Sequence, residues 1–146
     1  MRDGKLLLMR RASEPWLDHW DIPGGFCELD EHPAQTAARE AREETGLEVE
    51  ITGFLGMWLD RYPDPGRTEE PAVTLNAYYH AVPVAGPPGA EPDSEEVTEL
   101  GWFEADALPG PIAFPNHALD VLEAWKDAVK EGRTGTPLPD LPPGHS

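Results

Sequence analysis

A single cysteine, Cys27, excludes an intrachain disulfide and any cysteine-rich zinc site. Long hydrophobic runs are also missing. The opening MRDGKLLLMRR holds only four consecutive apolar residues, too few for the core of a signal peptide, and no segment reaches membrane-spanning length. Positive charge is scarce: 11 Lys and Arg stand against 28 Asp and Glu, a formal net charge of −17. Such a chain has no general attraction for nucleic acid or an anionic membrane. If its ligand carries phosphate, cations must mediate the contact. These absences point to a cytoplasmic protein with a small-molecule partner. What is present, 146 residues of which 39% are hydrophobic, suits one globular domain with a single core.

Residues 5–11, KLLLMRR, read as a buried strand, and EPWLDHWDIPGG as a loop leading into a short strand at 20–22. Pro23, Gly24 and Gly25 form a turn. A helix is predicted over 33–45, with His32 in the N-cap slot, Pro33 at the first helical position and Gly46 as a left-handed cap. Its small apolar face is Ala34, Ala37, Ala38 and Ala41. Segments 49–62 and 72–84 are rich in β-branched and aromatic residues and read as strands, as does 99–103. A second helix is expected after Asn116 as N-cap, with an apolar stripe of Leu119, Leu122, Trp125 and Val129 and an end at Gly132. The domain therefore spans 1–132, and 133–146 is a Pro/Gly-rich tail outside the core. Strands interspersed with two amphipathic helices suggest an α/β/α sandwich around a mixed sheet.

The stretch GFCELDEHPAQTAAREAREETGL, residues 25–47, carries the chemistry. Glu40, Glu43 and Glu44 fall within an arc of roughly 100° on one helix face, where like charges at i,i+4 repel. Arg39 and Arg42 flank the cluster, and Glu31 can reach Arg39 from the preceding loop. The remaining negative charge asks for a divalent cation. Three carboxylates and a backbone carbonyl are hard oxygen ligands of the kind Mg²⁺ or Mn²⁺ prefers, with substrate phosphates completing the shell. A run such as REAREE is ordinarily a solvated helix face. Here, however, Gly25, Glu31, Arg39, Glu40, Glu43, Glu44 and Gly46 occupy every fixed position of G-x5-E-x7-R-E-U-x-E-E-x-G-U, with U apolar. Chance would produce that on the order of once in a million chains of this length.

The pattern resembles the Nudix hydrolase family, and WDIPGG (20–25) is similar to its Trp-x-x-Pro-Gly-Gly entry. The resemblance implies the Nudix-type α/β/α sandwich and hydrolysis of a phosphoanhydride in a nucleoside diphosphate linked to another group. By the same resemblance Gly24 (through its carbonyl), Glu40, Glu43 and Glu44 hold the metal. Arg39 orients Glu40 and is paired with Glu31. Arg11, or its neighbour Arg10, contacts substrate phosphate. Family members differ in which glutamate removes the proton from water. Glu40, Glu44 and the later Glu95, Glu96 and Glu99 are the candidates, Glu96 being favoured among the last three.

Substrate class is less sharply written. Pro63, sixteen residues beyond Leu47, resembles the proline of the ADP-ribose group. Tyr62 is similar to a tyrosine of the dinucleoside polyphosphate group. Trp58 and Tyr62 are the aromatic candidates to hold an adenine. An already negative site accepts a diphosphate ester more readily than a triphosphate. ADP-ribose is therefore the favoured substrate. Dinucleoside polyphosphate or nucleoside triphosphate pyrophosphohydrolase activity, or non-catalytic nucleotide sensing, are the alternatives. Family members usually carry more sequence before the equivalent of KLLLMRR, and an exposed sheet edge there would favour a homodimer. Cys27 has no base beside it and is expected to be inert. Trp16 and Phe114 are expected in the core, and the five histidines lack metal-ligand spacing.

Overall fold

The apolar run of the first strand, β1 (Lys5–Arg11), buries Leu7, Leu8 and Met9 consecutively. That pattern belongs to a strand covered on both faces, and β1 is the centre of a three-stranded antiparallel sheet. Its neighbours are β2 (Trp20–Asp21) and β5 (Val97–Glu104). The β1–β5 register runs from Lys5 opposite Glu104 to Arg10 opposite Glu99, then slips between Arg10 and Arg11. The extra residue there is Thr98 of β5. The computed structural model describes residues 1–62, 72–84, 95–133, 136 and 138.

The second sheet is a long antiparallel pair, β3 (Val49–Tyr62) with β4 (Ala72–Pro83). Helix α1 (Pro33–Thr45) packs on both of its strands and α2 (Pro115–Lys130) on β3. The expected α/β architecture is therefore present, with helices laid on strands. All described ladders are antiparallel, and one isolated parallel bridge, Trp20 with Ile112, joins the first sheet to the segment before α2. Strand alternation gives the β3–β4 pair two faces. Met57, Leu59, Val73 and Leu75 are exposed on the outer one. Trp58, Asp60, Asn76 and Tyr78 belong to the inner one, against which α2 sets His117.

Helix α1 starts as its sequence predicts. His32 Nδ1 accepts from the Ala34 N–H at 3.0 Å while the Gln35 side chain accepts from the His32 N–H at 2.9 Å, a capping box. Gly46 closes the helix at φ 73°. The alanine face is only partly covered: Ala34 is buried with Thr36, Glu44 and Thr45, whereas Ala37, Ala38 and Ala41 are half-buried.

Helix α2 departs further from expectation. Its N-cap is Phe114, at φ 51° with no side-chain cap bond, and Asn116 lies inside the first turn. The buried stripe is Ala118, Val121, Leu122, Trp125 and Ala128, so Leu119 is half exposed and Val129 half-buried. His117, rotated onto the buried face, accounts for the shift, because it bonds to both strands of the second sheet. Gly132 does end the helix. At φ 70° it donates to the Val129 carbonyl, and Arg133 donates to that of Ala128, a Schellman motif. Beyond it, Thr136 exchanges two backbone hydrogen bonds with Phe54, so part of the expected free tail is attached to β3.

Candidate active site

Arg39, in the second turn of α1, is the hub of the acidic cluster. Its Nε and Nη2 donate to the two oxygens of Glu31 at 2.8 and 3.1 Å, the planar two-pronged contact that only arginine makes. Its Nη1 donates to Glu40 at 2.9 Å and to Glu43 at 3.1 Å, and Nη2 also reaches the Phe26 carbonyl at 3.3 Å. Glu31 accepts from Thr36 Oγ1 at 2.6 Å as well. Arg39, then Thr36, hold the Glu31 carboxyl down at about 2. The loop before α1 is thus clamped to the helix by one guanidinium shared among carboxylates. Among the described residues no ion pair involves Arg42.

Glu44 points elsewhere. It is 4% exposed and accepts the Gly24 N–H at 2.9 Å, tying the far end of the cluster to the Gly24–Gly25 turn. Burial pushes its carboxyl from 4.5 up to about 8. The Gly24 bond opposes that rise, and the charges of Glu40, Asp21 and Glu96 add to it. At Gly25 a Cβ would meet the Glu40 carboxylate carbon at 2.5 Å, so a side chain there would displace that carboxylate from its bond to Arg39. At Gly24 a Cβ would meet nothing within 4 Å. Gly25 therefore serves close approach to Glu40 rather than an unusual backbone angle.

These donors fit a hard cation in kind: carboxylates of Glu40, Glu43 and Glu44, and the peptide of the Gly24–Gly25 turn lying against Glu40. Among the described residues no three His, Cys, Asp or Glu side chains already converge as a ligand set. Glu40 and Glu43 each lend an oxygen to Arg39 instead, and Glu44 one to Gly24.

Strand alternation sets the two arginines at the end of β1 on opposite faces. Arg10 faces outward and pairs with Glu99 at 3.3 Å. Arg11 turns inward, donating to Asp21 at 3.0 Å and to the Pro15 carbonyl at 2.8 Å, with its guanidinium 5.1 Å from the Phe114 ring centre. Asp21 is three residues from Gly24. Burial raises its carboxyl, and Arg11 opposes the rise. Glu96 is exposed yet close enough to act on Glu44, while Glu95 is simply exposed. Cys27 is exposed. Tyr62 ends β3 opposite Ala72. Its side chain and Pro63 lie outside the described residues.

A second polar network was not foreseen from the sequence. Asp60 Oδ2 pairs with His117 Nδ1 at 2.9 Å, and His117 Nε2 with the Tyr78 hydroxyl at 2.7 Å. Phe114 and Trp16 continue the cluster toward Arg11. The period-two placement of Trp58 with Asp60, and of Asn76 with Tyr78, was a usable signal. The histidine partner was not, since it is 57 residues from Asp60.

The NUDIX domain family matches residues 1–124. The chain belongs to the Nudix family. This Nudix hydrolase is 34% identical over 126 residues to a MutT-like protein of Streptomyces ambofaciens, covering 86% of this chain and 71% of that one. It is 36% identical over 128 residues to an ADP-ribose pyrophosphatase of Methanocaldococcus jannaschii, covering 86% and 70% respectively. Among solved structures, a MutT NUDIX hydrolase from Burkholderia pseudomallei has a TM-score of 0.65 at 31% identity, with 85% of this chain and 90% of that one covered. No helix among the described residues is long and apolar enough to cross a membrane.

Proposed function

We propose that this Nudix pyrophosphohydrolase cleaves the phosphoanhydride of a nucleoside diphosphate joined to another group, with ADP-ribose or a similar nucleoside diphosphate sugar as substrate and Mg²⁺ or Mn²⁺ as cofactor. The observation that carries it is the single guanidinium of Arg39 holding Glu31, Glu40 and Glu43 while Glu44 is pinned to the Gly24 turn. The ADP-ribose pyrophosphatase among its relatives supports the substrate class. The local excess of carboxylates favours a diphosphate ester over a triphosphate.

Glu40, Glu43, Glu44 and the Gly24 carbonyl are the metal ligands in this reading. When bound, the metal supplies charge neutralisation of the diphosphate and a more acidic water. Arg39 keeps Glu40 and Glu43 from swinging away, and its bond to Glu31 keeps the loop seated on the helix. One of Glu40, Glu44 and Glu96 takes the proton of the attacking water. Arg11, at the end of β1, is the residue that contacts substrate phosphate in this reading, with Trp58 and Tyr62 as the base-contacting aromatics.

The test is hydrolysis of ADP-ribose, diadenosine polyphosphates, NADH and the common triphosphates, with and without Mg²⁺, the products being separated by chromatography. AMP and ribose 5-phosphate as sole products from ADP-ribose are expected. A triphosphate hydrolysed with tenfold higher kcat/KM would overturn the substrate assignment. Binding of every nucleotide without turnover would mark a sensor.

A further inference from the structure

The inner face of the β3–β4 pair converges on one side chain, the half-buried Trp58. Gly56 lies two residues earlier on the same face. A Cβ there would come within 2.8 Å of Trp58 Cη2 and 3.0 Å of Cζ3, so the indole is laid down over Gly56. Tyr78 stands opposite Gly56 in the register and meets the indole edge to face, with ring centres 5.8 Å apart at 74°. The Tyr78 ring is itself held. Its hydroxyl bonds His117 Nε2 at 2.7 Å, and His117 Nδ1 bonds Asp60 at 2.9 Å. With Asp60 accepting from Nδ1–H, Nε2 is left to accept from the Tyr78 hydroxyl, and each member has its partner.

Fastening α2 to the strands does not require this. Apolar side chains of similar volume would do so without burying an aspartate and a histidine whose side chains are 10% and 6% exposed. What a hydrogen-bonded relay adds is a fixed ring direction. The cluster also leads to the catalytic turn: His117 packs by Phe114, Arg11 lies over Phe114, and Arg11 pairs with Asp21. Asp21 in turn lies within electrostatic range of both Tyr78 and Glu44.

We propose that Gly56, Tyr78, His117 and Asp60 are positioning residues that hold the Trp58 indole as a stacking platform for the base of the nucleotide substrate. This rests on the nucleotide activity proposed above. A held, partly exposed indole on the sheet face that leads through His117, Phe114 and Arg11 toward the carboxylate cluster offers aromatic surface that any base can stack on. The relay makes the platform selective for pose rather than for base identity, because no hydrogen-bond donor to the base edge is involved.

The experiment compares the wild type with Trp58→Leu, Tyr78→Phe and the double variant. It measures kcat and KM for ADP-ribose, and the Kd of AMP by calorimetry without added metal. Trp58→Leu is expected to raise KM and the AMP Kd on the order of tenfold. Tyr78→Phe, which keeps the ring and loses only the hydroxyl, is expected to raise both about threefold. In the double variant the Tyr78→Phe effect disappears, because its only route is through the indole.

Full additivity of the two substitutions overturns the proposal. So does a Tyr78→Phe effect on kcat at constant KM, or unchanged AMP affinity in a folded Trp58→Leu protein. If circular dichroism shows Tyr78→Phe unfolded, Gly56→Ala takes its place with the same expectations. AMP binding that depends on Trp58 in a protein that hydrolyses no nucleotide would sink the activity and leave the platform standing. Hydrolysis indifferent to Trp58 would do the reverse.

Discussion

Arg39 gathers Glu31, Glu40 and Glu43 from sequence separations of eight, one and four residues, whereas His117 joins Tyr78 and Asp60 from separations of 39 and 57. The first network closes as soon as one loop meets one helix. The second exists only after α2 has docked on the β3–β4 pair. They differ as much in charge as in range. Around Arg39 a single cation faces several carboxylates, and Glu43 keeps half its side-chain surface in water. Around His117, which is buried, Asp60 and Tyr78 are largely covered and each is matched by a partner. An under-neutralised, partly wet cluster is suited to receiving a cation. A more enclosed, matched relay is suited to holding a shape.

The largest expected effect breaks the comparison on the side of chemistry. Glu43→Gln and Glu44→Gln should each lower turnover by about a hundredfold or more while circular dichroism shows the fold intact, because a metal donor is lost. Wild-type rates in both would reduce the α1 network to a structural clamp, no different in kind from the His117 relay.

Arg39 should show both characters at once. Arg39→Ala is expected to lower turnover about tenfold or more and to reduce stability by about 2 kcal/mol, since charge-assisted bonds to three carboxylates disappear together. Arg39→Lys restores the charge without the two-pronged geometry, so activity should recover poorly. Urea unfolding alongside kcat separates the two losses, and full recovery with lysine would show that geometry there is unimportant.

The relay is expected to answer in stability before turnover. Asp60→Asn leaves the buried His117 Nδ1 without its ionic partner and should destabilise the protein by about 1–3 kcal/mol. The fall in kcat should be much smaller than for Glu44→Gln. An equal fall in turnover would erase the distinction between the two regions.

The smallest effect is seen only in acid. Glu31 is held at about 2 in the folded chain against 4.5 ordinarily, chiefly by Arg39. A depressed carboxyl stabilises the fold above its unfolded value, and that contribution fades as pH falls from about 4.5 toward 2. Thermal melts should therefore lose stability across that window in the wild type, and lose less of it in Glu31→Gln. Parallel curves would show that the Glu31–Arg39 pair is not coupled to folding.

The two networks also mark how far the sequence could be read. Residues 25–47 carry their own geometry, because α1 spaces Glu40, Glu43 and Glu44 by turns and places Arg39 within reach of Glu31. His32 and Gly46 could be assigned as caps for the same reason, since capping is a matter of a few neighbouring backbone groups. Harder to read were features decided by packing. Asn116 is a better N-cap by type than Phe114, yet Phe114 holds the position, flanked by Arg11, Trp16 and His117. In the apolar stripe of α2, Leu122 and Trp125 are buried as expected, but Leu119 and Val129 give way to Ala118, Val121 and Ala128, because His117 lies on the buried face.

By itself, then, the sequence determined the site whose parts lie within one loop and one helix: the carboxylate spacing and the arginine clamp. It determined the strands too, through the run Leu6 to Met9 and the β-branched and aromatic composition of 49–62. Only the tertiary structure decided which of Arg10 and Arg11 turns inward, which later glutamate comes near Glu44, and that Asp60, Tyr78 and His117 meet at all. The physical reason is range. Backbone periodicity and capping act over a few residues. The pairing of β1 with β5 and the docking of α2 bring together groups whose separation along the chain leaves no local trace.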